Sequence, residues 1–147
     1  APYGRDPKYI LKSLRYIDVF HCNDLEVRRI VGKDPEKAVE FLKDKGVAFP
    51  VVTFGKNGGI STFGRFNAFN VEVVDPTGAG DAFTSGIIYK IVKNSTDLSK
   101  ISRREAYDIL KFASAVGASA TTKEGATEGV SLKKALDIAG GNFEIQD

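Results

Sequence analysis

A chain of 147 residues, 42% hydrophobic and 27% charged, has the size and balance of one domain that buries a real core. Its 21 basic and 19 acidic side chains are spread along the chain and leave a net charge of +2, which argues against a nucleic-acid surface but not against a phosphorylated ligand. The single cysteine, Cys22, excludes an internal disulfide and a cysteine-rich metal site. No apolar run reaches the length of a membrane span, and the N-terminus lacks a signal peptide's core, so a cytoplasmic enzyme or binding protein is expected. There is no methionine, and the opening "APYGRDPK" reads as a cut into a longer chain.

In chain order, "DPKYILKSLRY" predicts a short helix, with Pro7 suited to its first position. "IDVFHC" reads as a buried strand of the parallel-sheet kind, which makes Cys22 a structural thiol. "NDLEVRRIVG" predicts a brief helix capped by Asn23 and stopped at Gly32. "DPEKAVEFLKDKG" is amphipathic, with Ala38, Val39, Phe41 and Leu42 on its core face and Gly46 at its end. "FPVVTFG" is a second buried strand, so a βαβ-sized segment favours a parallel α/β sheet. "GKNGGISTF" then suggests a hairpin arm, and "AFNVEVV" a further strand. Helices are expected over 79–93, 103–120 and 132–139. So few strands between so many helices suggest part of a larger α/β domain.

The chemistry concentrates in "VVDPTGAGDAFTSG". Gly78 and Gly80 allow unusual backbone angles and close approach where a strand gives way to a helix. There the amides of residues 78–81 would converge at the positive end of the helix and form an anion site. A carboxylate at Asp81 would repel a ground-state phosphate, and makes sense if it handles a proton. Plain helix capping by Asp81 is the competing explanation. A Walker A loop is absent, since "GKNGG" only echoes it, and the dinucleotide pattern Gly-x-Gly-x-x-Gly breaks at Phe83. His21, at a strand end without a triad partner, reads as packed or hydrogen-bonded.

"DPTGAGDAFTSG" resembles the C-terminal signature of the ribokinase-like, or PfkB, carbohydrate kinases. The resemblance implies that Asp81 is the catalytic base for an acceptor hydroxyl and that Gly78, Ala79 and Gly80 form the anion hole. Asn23 and Glu26 match the family's Asn-x-x-Glu, which supports Mg2+ largely through water; capping explains the same pair. "VVTFGKNGG" resembles Thr-x-Gly-x-x-Gly, so Thr53, Gly55, Lys56, Asn57 and Gly58 would line the phosphates and ribose of ATP; a hairpin turn explains it equally well. "FASAVGASATTKEGA" is similar to the helix and loop that close the adenine pocket, with Ser114 as an adenine-side contact and tight helix packing as the alternative. By position Asp75, Thr77, Ala120, Lys123 and Gly125 match the ligands of a monovalent cation such as K+.

The resemblance spans nearly all 147 residues but only the C-terminal, nucleotide-binding half of such a chain. It implies an α/β fold, a partial Rossmann-like parallel sheet flanked by helices with a small β-hairpin arm. The implied activity is ATP-dependent phosphoryl transfer to a sugar, sugar phosphate or nucleoside, with a non-catalytic nucleotide-binding module as the alternative. With the N-terminal substrate and lid half missing, the isolated chain should be inactive. An uncovered sheet edge should favour homo-oligomers or pairing with the missing half.

Overall fold

The structure, a computed structural model, describes residues 7–146. The stretch 1–6, including Asp6 at the start of the first expected helix, lies outside them. A 3-10 helix over Pro7–Tyr16 leads into β1 (Val19–Asn23). The chain then returns through α1 (Asp24–Val31) and α2 (Pro35–Asp44) to β2 (Phe49–Thr53). β2 lies parallel to β1, with Val19 opposite Phe49 and Asn23 opposite Thr53. Gly32 stops α1 in the left-handed conformation at φ 72°, as a C-terminal glycine should.

Strand side chains alternate between two apolar layers, because successive residues point to opposite faces. Phe20, Cys22 and Val52 join Leu14, Val27, Ala38 and Leu42 on one face. Phe49 and Val51 join Phe83, Ile87, Ile109 and Leu110 on the other. Burial pushes the Cys22 thiol up to about 12, so it is an inert core group.

After β2 the chain turns through Gly55–Asn57 into β3 (Gly59–Ser61) and β4 (Gly64–Phe66), the expected hairpin arm. Gly58 is obligatory here: its φ is 82°, and a Cβ would lie 1.9 Å from the Phe66 carbonyl oxygen. A short β5 (Ile145–Gln146) pairs with β4. The five strands run in the order β1-β2-β3-β4-β5. The sheet is mixed: its parallel part is the β1–β2 pair, and the other pairings are antiparallel. Parallel pairing needs a crossover of about a dozen residues, which the tight turns after Thr53 and Ser61 do not supply.

The strand expected over 68–74 does not form. Its alternation is genuine, but the chain is diverted there. The Asn67 side chain donates to the carbonyls of Ala68 and Asn142 and accepts from the Glu144 amide, while Val74 and Asp75 donate their amides to the Thr121 carbonyl.

Three further α-helices match expectation within one residue: α3 (Ala79–Asn94), α4 (Arg103–Ala120) and α5 (Leu132–Ala139). α4 begins on a capping box, with Ser102 and Glu105 satisfying each other's amides. α3 and α4 touch backbone to backbone where side chains are smallest. A Cβ on Gly86 would meet the Ala113 Cα at 2.8 Å, and one on Gly117 the Ala79 carbonyl at 3.2 Å.

Candidate active site

The glycine-rich turn is a rigid junction rather than a loop. Asp75 Oδ1 accepts the Thr77 amide at 2.9 Å, and Oδ2 accepts the Gly125 amide at 2.9 Å. The Thr77 hydroxyl, then these two amides, hold the Asp75 carboxyl below the usual carboxylate range. The structure therefore brings Asp75, Thr77 and Gly125 together. Ala120 is the buried last residue of α4, and Lys123 is exposed on the loop beyond it.

Gly78 is the N-cap of α3, with φ 78° and no side-chain cap. A Cβ there would lie 2.5 Å from the Ala126 carbonyl oxygen, so both conformation and packing require glycine. Gly80 is the opposite case. It has an ordinary helical φ, and the nearest atom to an added Cβ is the His21 Cε1 at 3.8 Å, an ordinary contact. The fold gains nothing from this glycine, yet glycine in a helix costs about 0.5–1 kcal/mol relative to alanine.

Asp81 is the third residue of α3 and is exposed. Capping does not occupy it, since the cap position belongs to Gly78. By contrast, Asn23 and Glu26 form a complete capping box for α1. The Asn23 Oδ1 accepts the Glu26 amide at 2.8 Å, and the Glu26 Oε2 accepts the Asn23 amide at 2.9 Å. The capping explanation of this pair is therefore realised, and it leaves the second Glu26 carboxylate oxygen outside the box.

His21 is hydrogen-bonded and packed, as expected. Its Nδ1 lies 2.8 Å from the Thr84 hydroxyl, its Nε2 3.1 Å from the Thr53 hydroxyl, and its ring 4.8 Å from that of Phe83. Burial pushes its pKa down to about 4 despite the opposing fields of Glu26 and Asp81, so the ring is neutral near pH 7.

A cavity of ≈ 670 Å³ opens beside the turn. Of the expected nucleotide residues it gathers Thr53, Gly55, Lys56, Asn57, Gly58 and Ser114, together with Ala79 and Gly80 of the turn. Asn23 and Glu26 are not among its walls; Glu26 faces a second cavity of ≈ 410 Å³ with His21, Cys22 and Thr84. The larger cavity's apolar wall, Phe66, Phe69, Val71, Val73 and Phe83, was not anticipated. Part of its signal is the alternation over 69–73, which predicts a strand. Ser114, Gly117 and Ala118 share one face of α4 and, with Thr121 just beyond its end, line the cavity, while Gly117 also packs against α3.

Residues 2–133 match the profile of the pfkB family carbohydrate kinases. The chain belongs to this family. Among curated relatives it is 39% identical over 99 residues to the ATP-dependent 6-phosphofructokinase of Thermoanaerobacterium thermosaccharolyticum, covering 63% of this chain and 31% of that protein. It is 33% identical over 133 residues to fructokinase-2 of Solanum habrochaites, covering 85% of this chain and 40% of that one. The chain thus spans well under half the length of these pfkB relatives. In structure it is similar to aminoimidazole riboside kinase from Salmonella enterica, complexed with aminoimidazole riboside and an ATP analog. The TM-score is 0.75 at 25% identity, covering 95% of this chain and 48% of that one. It is also similar to a putative ribokinase II from E. coli in complex with ATP and Mg2+, with a TM-score of 0.72 at 29% identity, covering 89% and 42%. In the family's frame the chain carries the ribokinase-like fold.

Proposed function

We propose that this chain supplies the nucleotide side and the catalytic base of a kinase that moves the γ-phosphoryl group of ATP to a hydroxyl of a sugar, sugar phosphate or nucleoside. The observation that carries the reading is the pair at the start of α3. Asp81 is exposed and free of capping duty, next to a Gly80 whose missing side chain the fold does not require.

The Asp81 carboxylate takes the proton of the acceptor hydroxyl, whose oxygen forms the new bond to phosphorus as the bond to ADP breaks. The negative charge passing through the transferred group falls on the amides of residues 78–81 at the positive end of a 16-residue helix. Proton acceptance needs a carboxylate that is ionised and unoccupied, and oxyanion stabilisation needs donors fixed beforehand. Asp75 contributes to the second requirement by tying the turn to Gly125.

The larger cavity takes the nucleotide, with the base against Ser114 and the small face of α4 and the phosphates toward Gly55, Lys56 and Gly80. Asn23 and Glu26 would hold magnesium through water, which fits an all-oxygen donor set with one carboxylate oxygen outside the box. A magnesium ion held there would offset phosphate charge. Asp75, Thr77, Ala120, Lys123 and Gly125 would surround K+ mostly with backbone carbonyls. The acceptor side, lying in the remainder of the family's length, is absent from this chain, so the chain by itself has little turnover.

The test is Asp81→Asn in the intact kinase. Loss of a general base lowers kcat by about 10²–10⁴-fold, while magnesium-ADP affinity stays near wild type. Turnover near wild type would remove the base assignment. Intact ADP binding with no ATP consumption by the wild-type protein, whatever the acceptor, would favour a non-catalytic nucleotide module.

A further inference from the structure

Both nitrogens of His21 are engaged, and they reach hydroxyls on different elements: Thr53 at the end of β2 and Thr84 on α3. A hydroxyl has one proton to donate. Thr84 donates its proton to the Gly80 carbonyl at 3.0 Å, so at 2.8 Å its oxygen accepts from the His21 Nδ1–H. In the neutral ring Nε2 then carries no proton and accepts from the Thr53 hydroxyl at 3.1 Å. The relay has one direction: Thr53 O–H to Nε2, Nδ1–H to Thr84, Thr84 O–H to the Gly80 carbonyl.

The Gly80 carbonyl and the Asp81 amide belong to one planar peptide group. Holding the carbonyl end therefore aims the amide end. Gly78 caps α3 without a side chain, and Gly80 is intrinsically the least restrained kind of residue. The His21 ring, packed against Phe83, adds a tie from β1 to the first turn of α3 through Thr84.

We infer that His21 is a positioning residue: through Thr84 it orients the Gly80–Asp81 peptide group, and so the Asp81 amide that heads the turn. That this amide meets a transferred phosphoryl group rests on the function proposed above.

The chain has one histidine, so a long-range 1H–15N correlation on the 15N-labelled chain at pH 7 reads this ring unambiguously. The expected result is the neutral Nδ1–H tautomer; an Nε2–H tautomer overturns the inference. Two variants follow the link itself. Thr84→Val keeps the shape and loses the hydroxyl, whereas Thr84→Ser restores the hydroxyl. The Asp81 amide resonance should move in Thr84→Val and return in Thr84→Ser. Magnesium-ADP affinity, read by calorimetry, should fall about threefold to tenfold in the valine variant and recover in the serine variant, the size of one hydrogen bond. A purely structural link would lower the melting temperature of Thr84→Val and leave both the Asp81 amide and the affinity as in Thr84→Ser, which also overturns the inference. Should the unaltered chain bind no ADP while the tautomer and the Asp81 amide behave as expected, the positioning stands and the phosphate reading falls. The tautomer is read on the unaltered chain, so a variant that fails to fold does not decide the matter.

Discussion

At the scale of single residues, the two glycines of the turn separate what the fold needs from what a ligand needs. Gly80→Ala should stabilise the chain by about 0.5–1 kcal/mol, since alanine is the better helix former and its Cβ meets no clash. The same methyl group would stand between the backbone and an approaching phosphate, so magnesium-ADP affinity should drop. Gly78→Ala should instead lose about 1–3 kcal/mol, from the left-handed backbone and the contact with Ala126. Urea unfolding beside calorimetric titration reads both, and a Gly80→Ala chain that is less stable would remove the argument from spare room. His21 offers a second residue-scale test. Its pKa in the fold, about 4, lies below the ordinary 6.5, so the unfolded chain binds more protons between those values. This contribution to stability is full above pH 6.5, falls as pH drops toward 4, and is then flat, with a slope of at most about 1.4 kcal/mol per pH unit. Comparing unfolding of wild type and His21→Gln at pH 7 and pH 5 isolates it, because no other histidine is present. Equal slopes would contradict the lowered pKa.

At the scale of elements, α1 is where structural and chemical readings of one motif overlap. Asn23→Ala should cost about 1 kcal/mol through loss of the cap. Asn23→Ser should keep that stability, since serine caps as well, yet weaken the gain in ADP affinity that magnesium provides. A serine variant with unchanged magnesium dependence would reduce the motif to its cap. This overlap shows what sequence can and cannot carry. Helices were legible because their signals are local: Asn23, Ser102 and Ser131 begin α1, α4 and α5 with side-chain caps, and apolar spacing runs along them. The stretch over 68–74 has an equally regular pattern, but a strand also requires a partner ladder, which no local pattern specifies. Its alternating residues became a cavity wall instead. β5 was invisible for the converse reason: it is two residues long and exists through its pairing with β4. In the site, "DPTGAGDAF" fixed the turn residues by type and spacing. The relay from Thr53 through His21 to Thr84 joins residues separated by 32 and 63 positions, and only folding brings them together.

At the scale of the whole molecule, the sheet ends on β1, an edge strand among the described residues. Beside that edge, Thr84 and Ile88 of α3 line the second cavity together with Val19 and Phe20. Val92 continues their stripe one turn further along α3, and Ile88 and Val92 are 52% and 70% exposed. An unpaired strand edge next to an apolar stripe is a surface that invites another chain. The segments matched here are 31%, 40% and 48% of the relatives' own length, so in them further chain is available to cover such a face. In this chain alone, self-association is the expected substitute. Sedimentation velocity should show a species heavier than the monomer that grows with concentration. Ile88→Lys combined with Val92→Glu should shift the chain toward monomer without loss of helix, because both side chains already face solvent. A wild-type chain that stays monomeric at high concentration would mean that edge and stripe do not attract a second copy. Association untouched by the double variant would move the contact elsewhere, with the exposed Val130, Leu132 and Leu136 around α5 as the next apolar surface to alter.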